Sequence, residues 1–268
     1  MSKIYSTLIS SKALNMFPER LTDAYDWQGH IPFAFWLIDI MKPSTYVELG
    51  TYKGDSYAAI CQAIKEFGVS CEAHAVDTWE GDEHVGEYGD EIYNDFRQYH
   101  DSKYGAFSRL HRMRFEVAVD SFPDHSIDLL HIDGLHTYDA VKNDFETWQS
   151  KLSDRAIVLF HDSAVRERGF GVWQFVSELG KKYPTFHFNH SNGLSCLIYG
   201  KRTPKLLKSM VSLNGHEADN VRSYFQALGD RVQAYSQVRF WRKESEKLYN
   251  QLEVFRHVTN EQSKNVAE

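Results

Sequence analysis

Two short apolar runs, each ending in an acid with a histidine close by, constrain this chain more than any other feature. They are Leu129-Leu130-His131-Ile132-Asp133-Gly134-Leu135-His136 and Ile157-Val158-Leu159-Phe160-His161-Asp162-Ser163. Between them, Asp139 to Leu152 spaces Val141, Phe145, Trp148 and Leu152 as one stripe of a helix. A strand–helix–strand unit of this length is a right-handed crossover, so its two strands run parallel. Parallel sheets bind ligands outside the carboxyl ends of their strands. Asp133, His136, His161 and Asp162 are therefore expected at one rim. Two carboxylates with two imidazoles suit a hard divalent cation with a base beside it.

A second unit lies upstream. Thr45 to Leu49 reads as a strand, Gly50-Thr51-Tyr52-Lys53-Gly54-Asp55-Ser56 as a glycine turn opening a helix, and Cys71 to Val76 as a strand that ends at Asp77. Tyr57, Ile60, Ile64 and Phe67 give the helix its apolar spacing. Glycines let a backbone approach a ligand closely, and an acid after the second strand can accept hydrogen bonds from ribose hydroxyls. The dinucleotide pattern G-x-G-x-x-G is not met, because Tyr52 and Asp55 stand at its second and third glycines. Glu48 at the end of the first strand repels a phosphate and suits a cationic ligand. An ordinary tight turn is the plainer account of Gly50 and Gly54.

Ile31 to Met41 is expected to be a helix stopped by Lys42-Pro43-Ser44, with Asp26 to His30 before it as packing or as part of a lid. Asp77 to Asp101 is acidic and carries Trp79, Tyr88, Tyr93 and Tyr99. It reads as a solvated face or a substrate-side flap, with a helix around Asp90 to Tyr99. Further strands are expected at Arg112–Val117, Ile127–Ile132 and Ala156–Phe160. A helix should follow over Gly171–Tyr183. A hairpin should then pair Thr185–His190 with Leu194–Tyr199 about Ser191-Asn192-Gly193. The fold class is α/β: a Rossmann-like doubly wound sheet, mostly parallel, with a closing antiparallel hairpin and a C-terminal helical tail. Residues 1–44 form an N-terminal helical cap or lid, 45–200 the ligand-binding domain, and 201–268 a helical, coiled-coil-like extension. In that tail Val221, Phe225, Leu228, Val232 and Tyr235 make one stripe, and Trp241, Leu248, Leu252 and Phe255 resume it after a break at Val238. The tail either folds back on the main domain or self-associates.

The 268 residues are 42% hydrophobic and 14% aromatic, enough to bury a real core. A net charge of −7 argues against nucleic-acid binding as the main task. Cys61, Cys71 and Cys196 are scattered, odd in number and without a CxxC, which fits buried free thiols. No signal-peptide pattern opens the sequence and no apolar run could span a bilayer, so a soluble cytoplasmic protein is expected.

Over Ile31 to Gly200 these motifs resemble the class I S-adenosylmethionine-dependent methyltransferases. The nearest branch looks like the metal-dependent sugar O-methyltransferases of antibiotic and cell-surface glycan biosynthesis; catechol O-methyltransferases are similar at greater distance. The family's first motif falls on Glu48 to Gly54, with Tyr52 where many members have glycine. Its ribose-binding acid falls on Asp77. The resemblance implies donor contacts from Glu48, Gly50, Thr51, Gly54, Ser56, Asp77, Thr78 and Asp133. It implies Mg²⁺ or another divalent ion on Asp133, His161 and Asp162, with His136 as the catalytic base. The implied reaction is methylation of a sugar hydroxyl, in surface-polysaccharide or glycoside assembly, with a sugar or glycan acceptor as partner. A catechol-like acceptor is the alternative, and a donor-binding scaffold without catalysis is another. A nicotinamide-dependent oxidoreductase is disfavoured by the missing glycine pattern and the closing hairpin. Plainer roles compete: Asp162-Ser163 or His136 with Tyr138 as helix caps, and His131, His74 and His111 as core residues. Arg166, Arg168, Phe170 and Trp173 are candidates for an acceptor pocket.

Overall fold

The computed structural model describes residues 11–84 and 86–266, with side chains up to residue 253 and at residue 256. The first ten residues of the expected cap, and the Phe255 side chain on the tail stripe, lie outside the described residues.

The seven strands of the main sheet are β1 (Thr45–Leu49), β2 (Glu72–Asp77), β5 (Ser108–Arg112), β6 (Ile127–Ile132), β7 (Leu152–His161), β8 (Thr185–Phe188) and β9 (Leu194–Ile198). Their order is β5-β2-β1-β6-β7-β9-β8. All neighbours are parallel except β9, which runs antiparallel to both β7 and β8. This is the expected doubly wound sheet with its closing hairpin. A two-stranded ribbon, β3 (Gly81–Asp82) and β4 (Gly86–Glu87), stands apart. It belongs to the acidic stretch after Asp77.

Alternation along the central strands sends side chains to two separate cores. Tyr46, Leu129, Ile157 and Leu159 face one; Val47, Leu49, Leu130, Ile132, Val158 and Phe160 face the other. The first core is covered by α1 (Ile31–Met41), α2 (Asp55–Glu66) and α3 (Asp90–Tyr104). The second is covered by a short α4 (Phe115–Ala118), α5 (Tyr138–Trp148) and α6 (Val172–Leu179). Helix α1 stops because Lys42 turns left-handed (φ 47°) ahead of Pro43. Helix α5 starts because Thr137 accepts a hydrogen bond from the Ala140 backbone N–H. Thr137, rather than His136 or Tyr138, is therefore the cap.

The third strand corrects the sequence reading. It is Ser108–Arg112, not Arg112–Val117, and Phe115–Ala118 is helical. The Phe-Glu-Val-Ala-Val pattern mimics alternation. The strand is held instead by polar burial: the Ser108 hydroxyl meets Tyr57 at 2.6 Å and His100 at 2.7 Å.

The tail is α7 (Lys205–Val211) followed by one continuous helix, α8 (Gly215–Val266). Its first half folds back: Val221, Phe225 and Val232 are buried, and the Phe225 ring packs edge-on against Phe33 and Trp36 of α1. The break at Val238 is where the helix leaves the body. Val238, Trp241, Leu248 and Leu252 are exposed, Trp241 by 68%. Among the described residues no helix is long and apolar enough to cross a membrane.

Candidate active site

The carboxyl ends of β1, β2, β6 and β7 meet at two adjoining cavities. One, of about 490 Å³, is lined by Asp77, Thr78, Phe115 and Asp144 among others; the second, of about 360 Å³, by Trp27, Thr51, His161, Asp162 and Phe170 among others. Gly50, Tyr52, Asp133 and His136 belong to both and form the wall between them. Both volumes suit small-molecule sites.

The glycine turn is held from within. The Asp77 carboxylate accepts the backbone N–H groups of Thr51 (2.7 Å), Tyr52 (2.9 Å) and Trp79 (2.7 Å). Tyr52, where the glycine pattern fails, is left-handed at φ 49°, a conformation that costs a non-glycine residue about 1–2 kcal/mol. Asp77 on its N–H and the Trp79 indole on its carbonyl (2.9 Å) hold it there. Gly50 is required for a different reason than ligand approach: at φ +85° its Cβ would lie 2.1 Å from the Asp133 carbonyl oxygen. At Gly54 a Cβ would meet the Phe96 ring, also at 2.1 Å.

Glu48 is fully buried and lines neither cavity. Its carboxylate accepts hydrogen bonds from Tyr46, from Ser56 (2.9 Å) and from His131 Nδ1 (2.8 Å). Ser56 thus turns its hydroxyl inward although the residue borders the second cavity. On the other side of the ring, His131 Nε2 accepts from the Trp27 indole at 3.2 Å. These two bonds fix His131 as the neutral Nδ1–H tautomer and tie the cap to the sheet. His131 is a core residue, as the plainer account held. Thr51 differs from Ser56. Its hydroxyl is buried without a partner at the edge of the second cavity, so it is free for a ligand.

The rim gathers all four residues expected there. His136 Nε2 donates to Asp162 Oδ2 at 2.9 Å and lies 3.6 Å from Asp133 Oδ1. His161 Nδ1 lies 3.2 Å from Asp133 Oδ1 and 3.1 Å from Asp162 Oδ2, and its Nε2 donates to the Ser191 carbonyl at 3.1 Å. A carbonyl can only accept, so Nε2 carries a proton. Two carboxylates on the other nitrogen keep that one protonated too. Burial pulls both imidazoles down, but the two carboxylates outweigh it: His161 is raised well above its ordinary value and His136 to about 9. Burial pushes Asp133 and Asp162 up, and the imidazolium neighbours overcome it, holding both below the usual carboxylate range. Asp162 sits at φ 55°, and no helix follows it directly, so it is not a cap.

His161 was expected as a metal ligand; its Nε2 is taken by the Ser191 carbonyl and its Nδ1 faces both carboxylates. Asp133, His136 and Asp162 instead offer donor atoms within 4.8 Å of one another. The two carboxylates fit a divalent ion of the Mg²⁺–Mn²⁺ type, whose charge would return the neighbouring His136 to its neutral form.

Several wall residues carried no sequence signal as site residues. His84, between β3 and β4, stacks on Phe170 and places its Nδ1 3.3 Å from His136 Nδ1. Glu80, Gly81, Asp82 and Tyr88 line the first cavity, so part of the acidic stretch borders the site. Asp144, raised to about 7 by burial and by Glu116, faces the same cavity. Asp26 and Trp27 border the second cavity. Arg168 and Phe170 line it as well, but Arg166 and Trp173 open onto a separate groove.

Residues 47–163 match the family model described as a methyltransferase domain. An uncharacterized protein of Sinorhizobium fredii is 50% identical over 175 residues, which is 65% of this chain and 19% of that protein. The chain thus spans about a fifth of the curated relative it matches. A structure described provisionally as a caffeoyl-CoA O-methyltransferase from Staphylococcus aureus superposes with a TM-score of 0.50 at 17% identity, covering 75% of this chain and 93% of that one. The SAH-bound methyltransferase of Podospora anserina gives 0.50 at 14% identity, covering 75% and 97%. These likenesses establish the Rossmann-like methyltransferase fold.

Proposed function

We propose that this chain is an S-adenosylmethionine-dependent O-methyltransferase, assisted by a divalent cation and acting on a sugar hydroxyl. The observation that carries the reading is the shared wall: the cavity bordered by Asp77, Thr78 and Phe115 opens on the Asp133–His136–Asp162 rim through Gly50 and Tyr52. The methyltransferase-domain match over 47–163 supports the donor half.

S-adenosylmethionine, when bound, supplies a sulfonium methyl whose S–C bond breaks as the acceptor O–C bond forms. A divalent cation, when bound by Asp133 and Asp162, would supply a Lewis acid that lowers the pKa of a hydroxyl, and its charge would leave His136 neutral with a lone pair on Nδ1. The chain's own residues do the rest. Thr51, at the edge of the second cavity, offers its unpaired hydroxyl to the acceptor. Asp133 and Asp162 concentrate negative charge beside the position of the sulfonium. His136 faces His84 through Nδ1, and this nitrogen, on the side away from the carboxylates, receives the proton of the acceptor hydroxyl. Trp27, Phe170 and His84 exclude water from that side. The second cavity also holds Asp23, Asp26, Lys53, Arg168 and Asn192. Hydrogen-bonding groups with aromatic walls favour a polyhydroxylated acceptor over a planar catechol.

The test is calorimetric titration of S-adenosylmethionine and, separately, NAD, followed by transfer assays on sugar and catechol acceptors with and without a chelator. Donor binding and chelator-sensitive methylation of a sugar are expected. Binding of NAD alone overturns the reading, and methylation of catechols only moves it to the small-molecule alternative. Donor binding without transfer to any acceptor leaves the scaffold.

A further inference from the structure

Outside the turn that follows β7 lies a groove of about 870 Å³, distinct from both cavities. Arg166, Lys181 and Arg222 line it with Trp173, His187 and Ser163, and no carboxylate does. In a chain of net charge −7 this is a local reversal of sign. The three cations come from separate elements: the turn after β7, the end of α6 and helix α8. Among the described residues neither Arg166 nor Lys181 has an ion-pair partner. The Arg166 guanidinium instead lies over the Trp173 ring, 4.5 Å from its centroid, a contact that keeps its charge unspent. Arg222 is fixed by donating from Nε to the His187 carbonyl at 2.8 Å, and its other partner is the exposed Asp219.

A neutral relay ends in the same groove. The buried Ser195 hydroxyl donates to Ser163 Oγ at 2.8 Å, so His187 Nδ1, 2.8 Å from Ser195, must be the donor there. The Ser163 hydroxyl accepts from Ser195 and retains its own proton for another acceptor. Two cations without counter-ions, a third held in place beside them, a hydroxyl donor and an aromatic wall are the groups that recognise phosphate oxygens.

We propose that this groove is an anion subsite for a phosphate or diphosphate group. On the function proposed above, it holds the charged end of the acceptor. Ser163 follows Asp162 directly, and one tight turn (Val165 N–H to the Asp162 carbonyl, 3.2 Å) separates groove from rim. A sugar carrying a phosphate can therefore reach across this turn with its hydroxyl at Asp133 and Asp162.

Inorganic pyrophosphate is the first probe, followed in ¹⁵N-labelled protein at constant ionic strength. The Trp173 indole resonance, identified by its loss in Trp173→Phe, should shift and saturate. Sodium chloride at equal ionic strength should not move it. The double variant Arg166→Glu/Lys181→Glu changes two exposed side chains, so its fold is expected to persist. It should bind at least about tenfold more weakly. An unsaturable shift, or equal affinity in the double variant, overturns the subsite. A second arm compares phosphorylated and unphosphorylated sugar acceptors: the double variant should raise KM for the phosphorylated one. A KM rise equal for both acceptors overturns the acceptor role. Should no acceptor be methylated, the proposed function fails, while the pyrophosphate titration still decides the groove.

Discussion

His30 of the cap and His161 of the rim lie 5.6 Å apart, ring to ring, and both direct Nε2 at the Ser191 carbonyl, each at 3.1 Å. Both are buried. Yet burial, with His161 and His190 as neighbours, drives His30 well below its ordinary value, while His161 is raised well above. The difference lies at Nδ1. In His161 it faces Asp133 and Asp162; in His30 it faces no partner at all. Burial alone thus does not set the charge of a histidine; the group on its second nitrogen does. His30 and Trp27 of the cap thus set uncharged rings against a rim of paired carboxylates and imidazoles.

The strongest way to break this contrast is His161→Phe. It leaves the buried Asp162 and half-buried Asp133 carboxylates with His136 as their main cation and should cost up to about 3–5 kcal/mol, read by urea unfolding. A loss under about 1 kcal/mol would mean that His161 is not charged. The matched change, His30→Phe, removes one bond and one unpaired nitrogen together. It should alter stability by no more than about 1 kcal/mol.

The acid and alkaline limbs of stability sharpen the contrast further. The folded pKa of His30 is depressed, so its contribution is present above the unfolded value near 6.5 and is lost as pH falls below it. His136 is the reverse. Its contribution is full below about 6.5 and disappears as pH rises to about 9. His30→Phe should flatten the limb between about pH 6.5 and 5, and His136→Phe the limb between about 6.5 and 9, each by less than about 1.4 kcal/mol per pH unit. Unfolding midpoints measured across that range, with both variants, check the signs.

The central strands and the hairpin were legible because apolar runs and the Asn192-Gly193 turn are local signals. So was the meeting of Asp133, His136, His161 and Asp162, which needs only the parallel-strand rule. The third strand was not, because Ser108 and His100 bury polar atoms that sequence patterns score as surface. Spacing could not assign the His161 and His136 roles, because ring orientation depends on Ser191, 30 residues away from His161. His84 reaches His136 across 52 residues of chain. Glu48 was placed at the correct strand end, but its register partner His131 claims the carboxylate that a ligand was expected to use.

Helix α8 has a mechanical consequence. Its 52 residues make a rod about 78 Å long. Near its base, Gly229 packs so closely on Gly29 that a Cβ would lie 2.1 Å from the Gly29 carbonyl oxygen. Gln233 bonds both the Tyr25 carbonyl and the Ser191 hydroxyl. The rod is therefore clamped to the cap and to the hairpin turn, two walls of the second cavity. A displacement of its far tip would act through a long arm on those walls, because the helix is held near its base and free of the body beyond Val238.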